Sequence, residues 1–205
     1  MGPRRSTRTT VANLRASGIA TYFRPRDAKR LGVPHAELRR HVMSGAAAKI
    51  ARGVYRVTAA APTEFESIAM VSAVIPRGVI CLLSALQLHR IGTQAPPQVW
   101  VAIDRKARRP TRLRARIHFI RSTGTLLKEG VDKLRLLGVE VRVTSPARSV
   151  VDCFRYRNKI GIDVALEALR DVLRAKLATR DELLRMAARC RARTVLRPYL
   201  EAFSG

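Results

Sequence analysis

Acidic residues are scarce in this chain. Its 205 residues carry 15 Asp and Glu against 40 Lys and Arg, a formal charge of +25. So few carboxylates leave little material for paired acid–base catalysis, and so large an excess of one sign implies a polyanionic partner. Cysteine is also rare. Cys81, Cys153 and Cys190 are odd in number, far apart and embedded in apolar patterns, which reads as reduced core thiols and gives neither a disulfide framework nor clustered zinc ligands. No apolar run reaches the length of about eighteen residues needed for a spanning helix, and Met1 to Thr10 has arginines but no apolar centre of an export signal. The expected location is the cytoplasm, with no membrane partner. There is no glycine loop built to cradle phosphate, and Ser84 has no G-x-S-x-G context. His35, His41, His89 and His118 have no Cys or carboxylate at ligand spacing. No catalytic residue, metal site or cofactor is expected.

What remains is apolar enough to fold. The 47% hydrophobic content and several periodic segments allow a real core, so the chain is not a disordered basic tail. Its charge is uneven. Residues 1–60 hold thirteen Lys or Arg against two acids, the densest excess in the chain. Within that stretch Arg26 to Leu31 has a short helical pattern, Gly32 supplies a tight turn, and Pro34 sits where a second helix begins and runs to Ser44. At 100° per residue, Leu38 and Val42 face the core while Ala36, Arg39, Arg40 and Met43 face the other way, toward a major groove. Lys49 to Val57 then reads as two strands bent at Gly53, with Lys49, Arg52 and Arg56 able to reach phosphates or a minor groove. Together with Arg26, these residues form the expected DNA-binding surface of a winged helix-turn-helix.

A first helix over Thr9 to Ser17, using Val11 and Leu14, should support that motif. The segment Ala59-Ala60-Ala61-Pro62 marks the expected boundary between a domain of residues 1–60 and one of residues 61–205. Thr63-Glu64-Phe65-Glu66 matches a capping box for a helix ending before Pro76, with Phe65, Ile68, Ala69, Ser72 and Ile75 on its apolar face. Val79 to Leu82 suits a strand or the entrance to a helix over Ser84 to His89. Gln98 to Ile103 and Ile117 to Arg121 read as strands, and Val131 to Arg135 with Val139 to Thr144 as a hairpin broken at Gly138. Ser145-Pro146 starts a helix to about Tyr156. Ile162, Leu166, Leu169 and Leu173 form an apolar stripe. Thr179 to Glu182 is a second capping box, and a last helix around Val195 to Phe203 must accommodate Pro198. The expected class is α+β: the N-terminal winged domain, then a larger mixed α/β domain ending in helices.

The connection from Asp104 to Arg116 carries Arg105, Lys106, Arg108, Arg109, Arg112, Arg114 and Arg116. It reads either as a solvated loop or as a second phosphate-contacting patch, with Arg105, Lys106, Arg108, Arg109 and Arg112 as its members. Asp104-Arg105-Lys106 also has the D-x-K form of a Mg²⁺-dependent nuclease core, for which Glu64 or Glu66 would supply the second carboxylate. In so basic a chain such a triplet arises readily by chance. A non-specific nucleic-acid packaging protein would share the charge, but would not need the helix-turn-helix spacing.

Several stretches taken in order carry a resemblance. They are Gly53-Val54-Tyr55-Arg56, Leu83-Ser84-Ala85-Leu86 with Thr93-Gln94, Val99-Trp100-Val101-Ala102, Gly138 to Val143, Ser145-Pro146-Ala147-Arg148, Asp152 to Gly161, and Asp163 to Leu169. Across residues 9–203 the sequence resembles the AbiEi antitoxins of type IV toxin-antitoxin systems. The resemblance implies a non-enzymatic autorepressor that binds double-stranded DNA at operator repeats upstream of its own operon. It also implies a functional partner, an AbiEii-like nucleotidyltransferase toxin, counteracted without a stable complex.

Overall fold

Proline and glycine punctuate the first third of the chain and set where its elements start and stop. The computed structural model describes residues 13, 14, 16–61, 63–110 and 115–203. The chain divides into two units. Among the described residues the first holds those up to Pro76, with Pro110 and Arg135–Val141. The second holds Arg77–Arg109, Ala115–Leu134 and the residues from Arg142 onward. This differs from the expected division at 60/61, because residues 63–76 and the turn end of the later hairpin count with the first unit.

In the first unit, β1 is Tyr22–Phe23, α1 Pro25–Arg30, α2 His35–Met43, β2 Ala47–Ala51, β3 Val54–Val57 and α3 Glu66–Val74. The strands form an antiparallel sheet in the order β1-β3-β2. One apolar cluster joins Leu14, Ile19, Phe23, Ala28, Val33, Leu38 and Val57. Another joins Tyr22, Val54, Ala69, Ala73 and Val139. Of the expected first helix over 9–17, Asn13, Leu14 and Ala16 are helical and Leu14 is fully buried; residues 9–12, Val11 included, and residue 15 lie outside the described residues. The capping box expected at Thr63 does not form. α3 starts after Phe65 with no side-chain cap, because the Glu66 carboxylate accepts from Arg56 Nε at 2.6 Å and from Tyr22 Oη at 3.2 Å. A charge-assisted bond to a guanidinium outcompetes a single backbone N–H.

From Arg77 onward the chain runs β4 Val79–Ile80, α4 Leu82–His89, β5 Val99–Asp104, β6 Ile117–Ser122, a 3₁₀ turn Gly124–Leu127, β7 Val131–Leu136 and β8 Val139–Thr144, the turn ends of β7 and β8 counting with the first unit. Then come α5 Pro146–Arg155, α6 Arg157–Ile160, α7 Ile162–Arg174, α8 Arg180–Arg189 and α9 Arg193–Ala202. The sheet order is β6-β5-β4-β8-β7. β4 pairs antiparallel with β5, whereas β4 with β8 and β5 with β6 are parallel. The described molecule is therefore mixed α and β. Trp100, Phe154, Leu169, Leu183 and Leu196 belong to its main core. Two start signals read from sequence are realised: Ser145 Oγ accepts Arg148 N at 3.3 Å, and Thr179 Oγ1 accepts Glu182 N at 3.2 Å while Thr179 N donates back to the Glu182 carboxylate at 2.7 Å. The stripe expected on α7 is rotated. Val164, Ala165, Ala168, Leu169 and Val172 are buried, whereas Leu166 and Leu173 are half-buried and Ile162 is exposed. α7 packs against α5, and the small Ala165 and Ala168 let the two backbones approach, which turns the bulkier leucines to the margin.

The parallel pairing of β5 with β6, Val99 opposite Ile117 and Asp104 opposite Ser122, requires the chain to travel back the length of a strand before pairing again. The basic connection between β5 and β6 begins with the described residues 105–110.

Candidate nucleic-acid interface

The approach to α1 is fixed from both sides. Arg24 N donates to Asp27 Oδ2 at 3.1 Å, and the Arg24 guanidinium donates to the Ala73 carbonyl at 2.8 Å. Asp27, in the first turn, also complements the positive end of the helix. Between α1 and α2 the chain reverses at Gly32 with φ +80°, a left-handed conformation costly to any residue bearing a Cβ. Val33 N closes the turn onto the Ala28 carbonyl at 2.9 Å. Pro34, with φ −70° and ψ 163°, stands one residue before α2, and its carbonyl accepts Leu38 N at 3.0 Å. The expected start at Pro34 and end at Ser44 match the observed flanking residues of α2.

α2 has two distinct sides. Inward it places Leu38, 2% exposed, His41, 4% exposed, and the half-buried Val42. His41 Nε2 lies 3.5 Å from Glu37 Oε1. Outward it places Ala36, Arg39, Arg40 and Met43, all exposed, Met43 to 82%. On the hairpin that follows, Gly53 turns with φ +69°, and Lys49 and Arg52 are exposed. Neither they nor Arg39 and Arg40 have an ion pair or side-chain hydrogen bond among the described residues. Arg26 is exposed as well, 3.7 Å from the Asp27 carboxylate.

Arg56 departs from the expectation that it anchors the hairpin to phosphate. Successive strand side chains alternate faces, and the register Tyr22 opposite Arg56 puts its side chain on the Tyr22 and Val54 side, toward α3. There Nε binds Glu66, while its other nitrogens donate to the carbonyls of Val57, Thr58 and Ala60 at 2.9–3.2 Å. It is a strut within the first unit. Burial, and next the facing Glu66 charge, push the Tyr22 phenol up to about 12.

In the second unit, Arg105, Lys106, Arg108 and Arg109 are exposed on the connection leaving β5; Arg112 lies outside the described residues. This turn is pinned. Asp104 Oδ1 accepts Lys106 N at 2.8 Å, Arg105 N donates to the Ser122 carbonyl at 3.1 Å, and Arg121 donates to the carbonyls of Asp104, Arg105 and Ala107 at 2.6–3.2 Å. The Arg109 guanidinium lies 5.3 Å from the centre of the Phe119 ring. Asp104 thus serves a backbone turn and Glu66 an ion pair. Among the described residues no three His, Cys, Asp or Glu side chains stand together to hold a metal ion, which gives the D-x-K nuclease reading no supporting geometry.

One buried polar cluster was not read from sequence. Arg148, 4% exposed, donates through Nε to Asp152 Oδ2 at 2.8 Å and to the carbonyls of Glu129 and Leu126. Arg155 reaches the other carboxylate oxygen at 3.1 Å. Burial is the largest influence and alone would lower the Arg148 pKa, but the groups around it, led by the charge of Asp152, turn the net shift upward. The i, i+4 spacing of Arg148 and Asp152 was the available signal. Burial pushes the thiols of Cys81 and Cys153 up, so both are protonated core groups, and all three cysteines are free and buried as expected. Among the described residues no helix is long and apolar enough to cross a membrane.

No curated protein matches the chain. Among solved structures it is similar to the RV2827C protein from Mycobacterium tuberculosis, with a TM-score of 0.56 and 14% identity over 87% of this chain and 69% of that one. At that identity the likeness is one of fold alone. Residues 10–58, the span holding α1, α2 and the hairpin, match the family described as transcriptional regulator, AbiEi antitoxin, the same family that the sequence resembles.

Proposed function

We propose that α1, α2 and the β2–β3 hairpin act as a winged helix-turn-helix that binds duplex DNA at repeats upstream of the chain's own operon, in the cytoplasm, and represses it. The observation that carries this reading is the open face of α2. Ala36, Arg39, Arg40 and Met43 stand exposed opposite the buried Leu38 and His41, the arrangement a helix needs to enter a major groove. Arg39 and Arg40 contact base edges or adjacent phosphates, Met43 and Ala36 supply apolar contact, and Lys49, Arg52 and Arg26 hold the backbone. The second unit carries the antitoxin role, countering a nucleotidyltransferase toxin without a stable complex.

The test is footprinting on the DNA upstream of the gene, with random duplex as competitor and salt varied. A bidentate arginine discriminates its base by about 1–3 kcal/mol. Arg40→Ala is therefore expected to weaken binding to the upstream DNA roughly 5- to 150-fold and to random duplex far less. Equal losses on both would reject base reading by Arg40. Equal affinity of the unaltered protein for both duplexes would replace specific regulation with general packaging.

A further inference from the structure

We propose that the Arg105–Arg109 turn is a second phosphate-contacting surface, one that holds the backbone of duplex DNA whatever its sequence. The identity of the polyanion rests on the reading above; the surface itself rests on separate observations in the second unit. Arg105, Lys106, Arg108 and Arg109 are all exposed within five residues. The nearest acid, Asp104, is held by the Lys106 backbone N–H. Three carbonyls of the turn are gathered by the single guanidinium of Arg121, so the cations are presented on an ordered backbone. Ordering a loop in advance removes part of the entropic cost of binding. A loop that merely solvates charge needs no such staple.

The field extends past the turn. His118, on β6, is held below its ordinary pKa first by burial and then by the charges of Lys159 and Arg109. The aromatic rings nearby are taken. Trp100 is buried and stacked on His118 at 3.9 Å, and Phe119 sits beneath Arg109. Single-stranded nucleic acid is gripped by bases stacking on open rings, and this surface offers cations without them. That favours a duplex backbone.

The experiment uses the full chain with Arg105, Lys106 and Arg108 each changed to Gln, leaving Arg109 on its ring. Binding to the upstream duplex and to a random duplex of equal length is followed by fluorescence anisotropy across a salt titration, with urea unfolding run alongside. Each phosphate contact contributes about 0.9 to the slope of log K against log salt, so the slope is expected to fall by up to about 2.7. Affinity should fall by the same factor on both duplexes, leaving their ratio and the unfolding midpoint unchanged. An unchanged slope overturns the proposal, and so does a loss confined to the upstream duplex. Tighter binding of single-stranded RNA than of duplex, abolished in the triple variant, overturns the choice of partner. If the unaltered protein shows no preference between duplexes while the triple variant still lowers the slope, specific regulation fails and this surface stands. Arg121→Gln keeps all four cations of the turn but releases it, and should weaken both duplexes by less than the triple variant does.

Discussion

Residues 35–57 and residues 145–157 are both rich in arginine, and the fold treats them in opposite ways. In the first stretch Arg39, Arg40 and Arg52 stand open without partners among the described residues. In the second, Arg148 is buried against Asp152, and Arg155 shares the same carboxylate. The difference is one of local acids. A cation that pairs with a carboxylate of its own helix can be neutralised and folded inward, whereas Arg39 and Arg40 sit on a helix whose acid, Glu37, faces His41 instead, and they stay in water. A tally of charge therefore overstates the binding surface. The strongest way to break this contrast is Asp152→Ala, which strands the Arg148 guanidinium in the core. The expected loss is about 3–5 kcal/mol in urea unfolding, with the DNA affinity of the folded fraction intact. Arg39→Ala, at an open site, should change stability by less than about 0.5 kcal/mol. Similar effects on stability from both changes would erase the distinction.

The same contrast recurs four residues apart on the hairpin. Arg56→Ala removes the bond to Glu66 and three bonds to carbonyls and is expected to cost about 1–3 kcal/mol, the range for losing charged hydrogen bonds, without changing the salt slope. Arg52→Ala should do the reverse, lowering the slope by about 0.9 and leaving the unfolding midpoint in place. Salt titration and urea unfolding of the two variants give opposite answers if the fold has sorted these side chains as described. A slope change in Arg56→Ala would return it to the proposed DNA surface.

These two positions show what could be read in advance and what could not. Most of the helices, the breaks at Gly32 and Gly45, the two hairpins and the capping box at Thr179 follow from local periodicity and turn chemistry, which act within a few residues, whereas β1 and the pairings of β4 with β5 and β8 and of β5 with β6 join residues far apart in the chain and were not read. The open face of α2 was legible for the same reason, since nine residues at 100° each separate Leu38 from Arg39 and Met43. Arg56 was not, because its direction depends on strand register and its partner Glu66 lies beyond a proline on another helix. The Thr63 box failed through that same partner: its acid was claimed by a stronger bond than the cap. The α7 stripe drifted because Ala165 and Ala168 gain by close approach to α5 what a size-weighted reading assigns to leucine.

Tyr22 sharpens the comparison from the buried side. Its hydroxyl donates to Glu66, and burial with that carboxylate raises its pKa to about 12, above the ordinary value of about 10. Folding thus favours the protonated phenol. The contribution is complete below about pH 10 and is lost as pH rises through about 12. Tyr22→Phe should cost about 0.5–1.5 kcal/mol at neutral pH, and thermal unfolding of the variant should decline less steeply between these values. An unaltered alkaline decline would mean that other groups cause it.

His118 gives the smallest effect and bears on the open side of the contrast. Its folded pKa is lowered, so the neutral ring is favoured by folding. That stability is present above about pH 6.5, the ordinary histidine value, and is lost as pH falls through the depressed one. His118→Phe keeps a ring against Trp100 but cannot titrate, so its melting temperature should fall less than that of the unaltered protein on going from pH 7 to pH 5. Salt separates the causes. In about 1 M salt the fields of Lys159 and Arg109 are screened within about 3 Å, but desolvation of the ring is not. Since burial is the leading cause, the difference between the two proteins should narrow at high salt without closing. Complete closure would assign the shift to the cations and make their field at the Arg105–Arg109 turn stronger than burial at that strand.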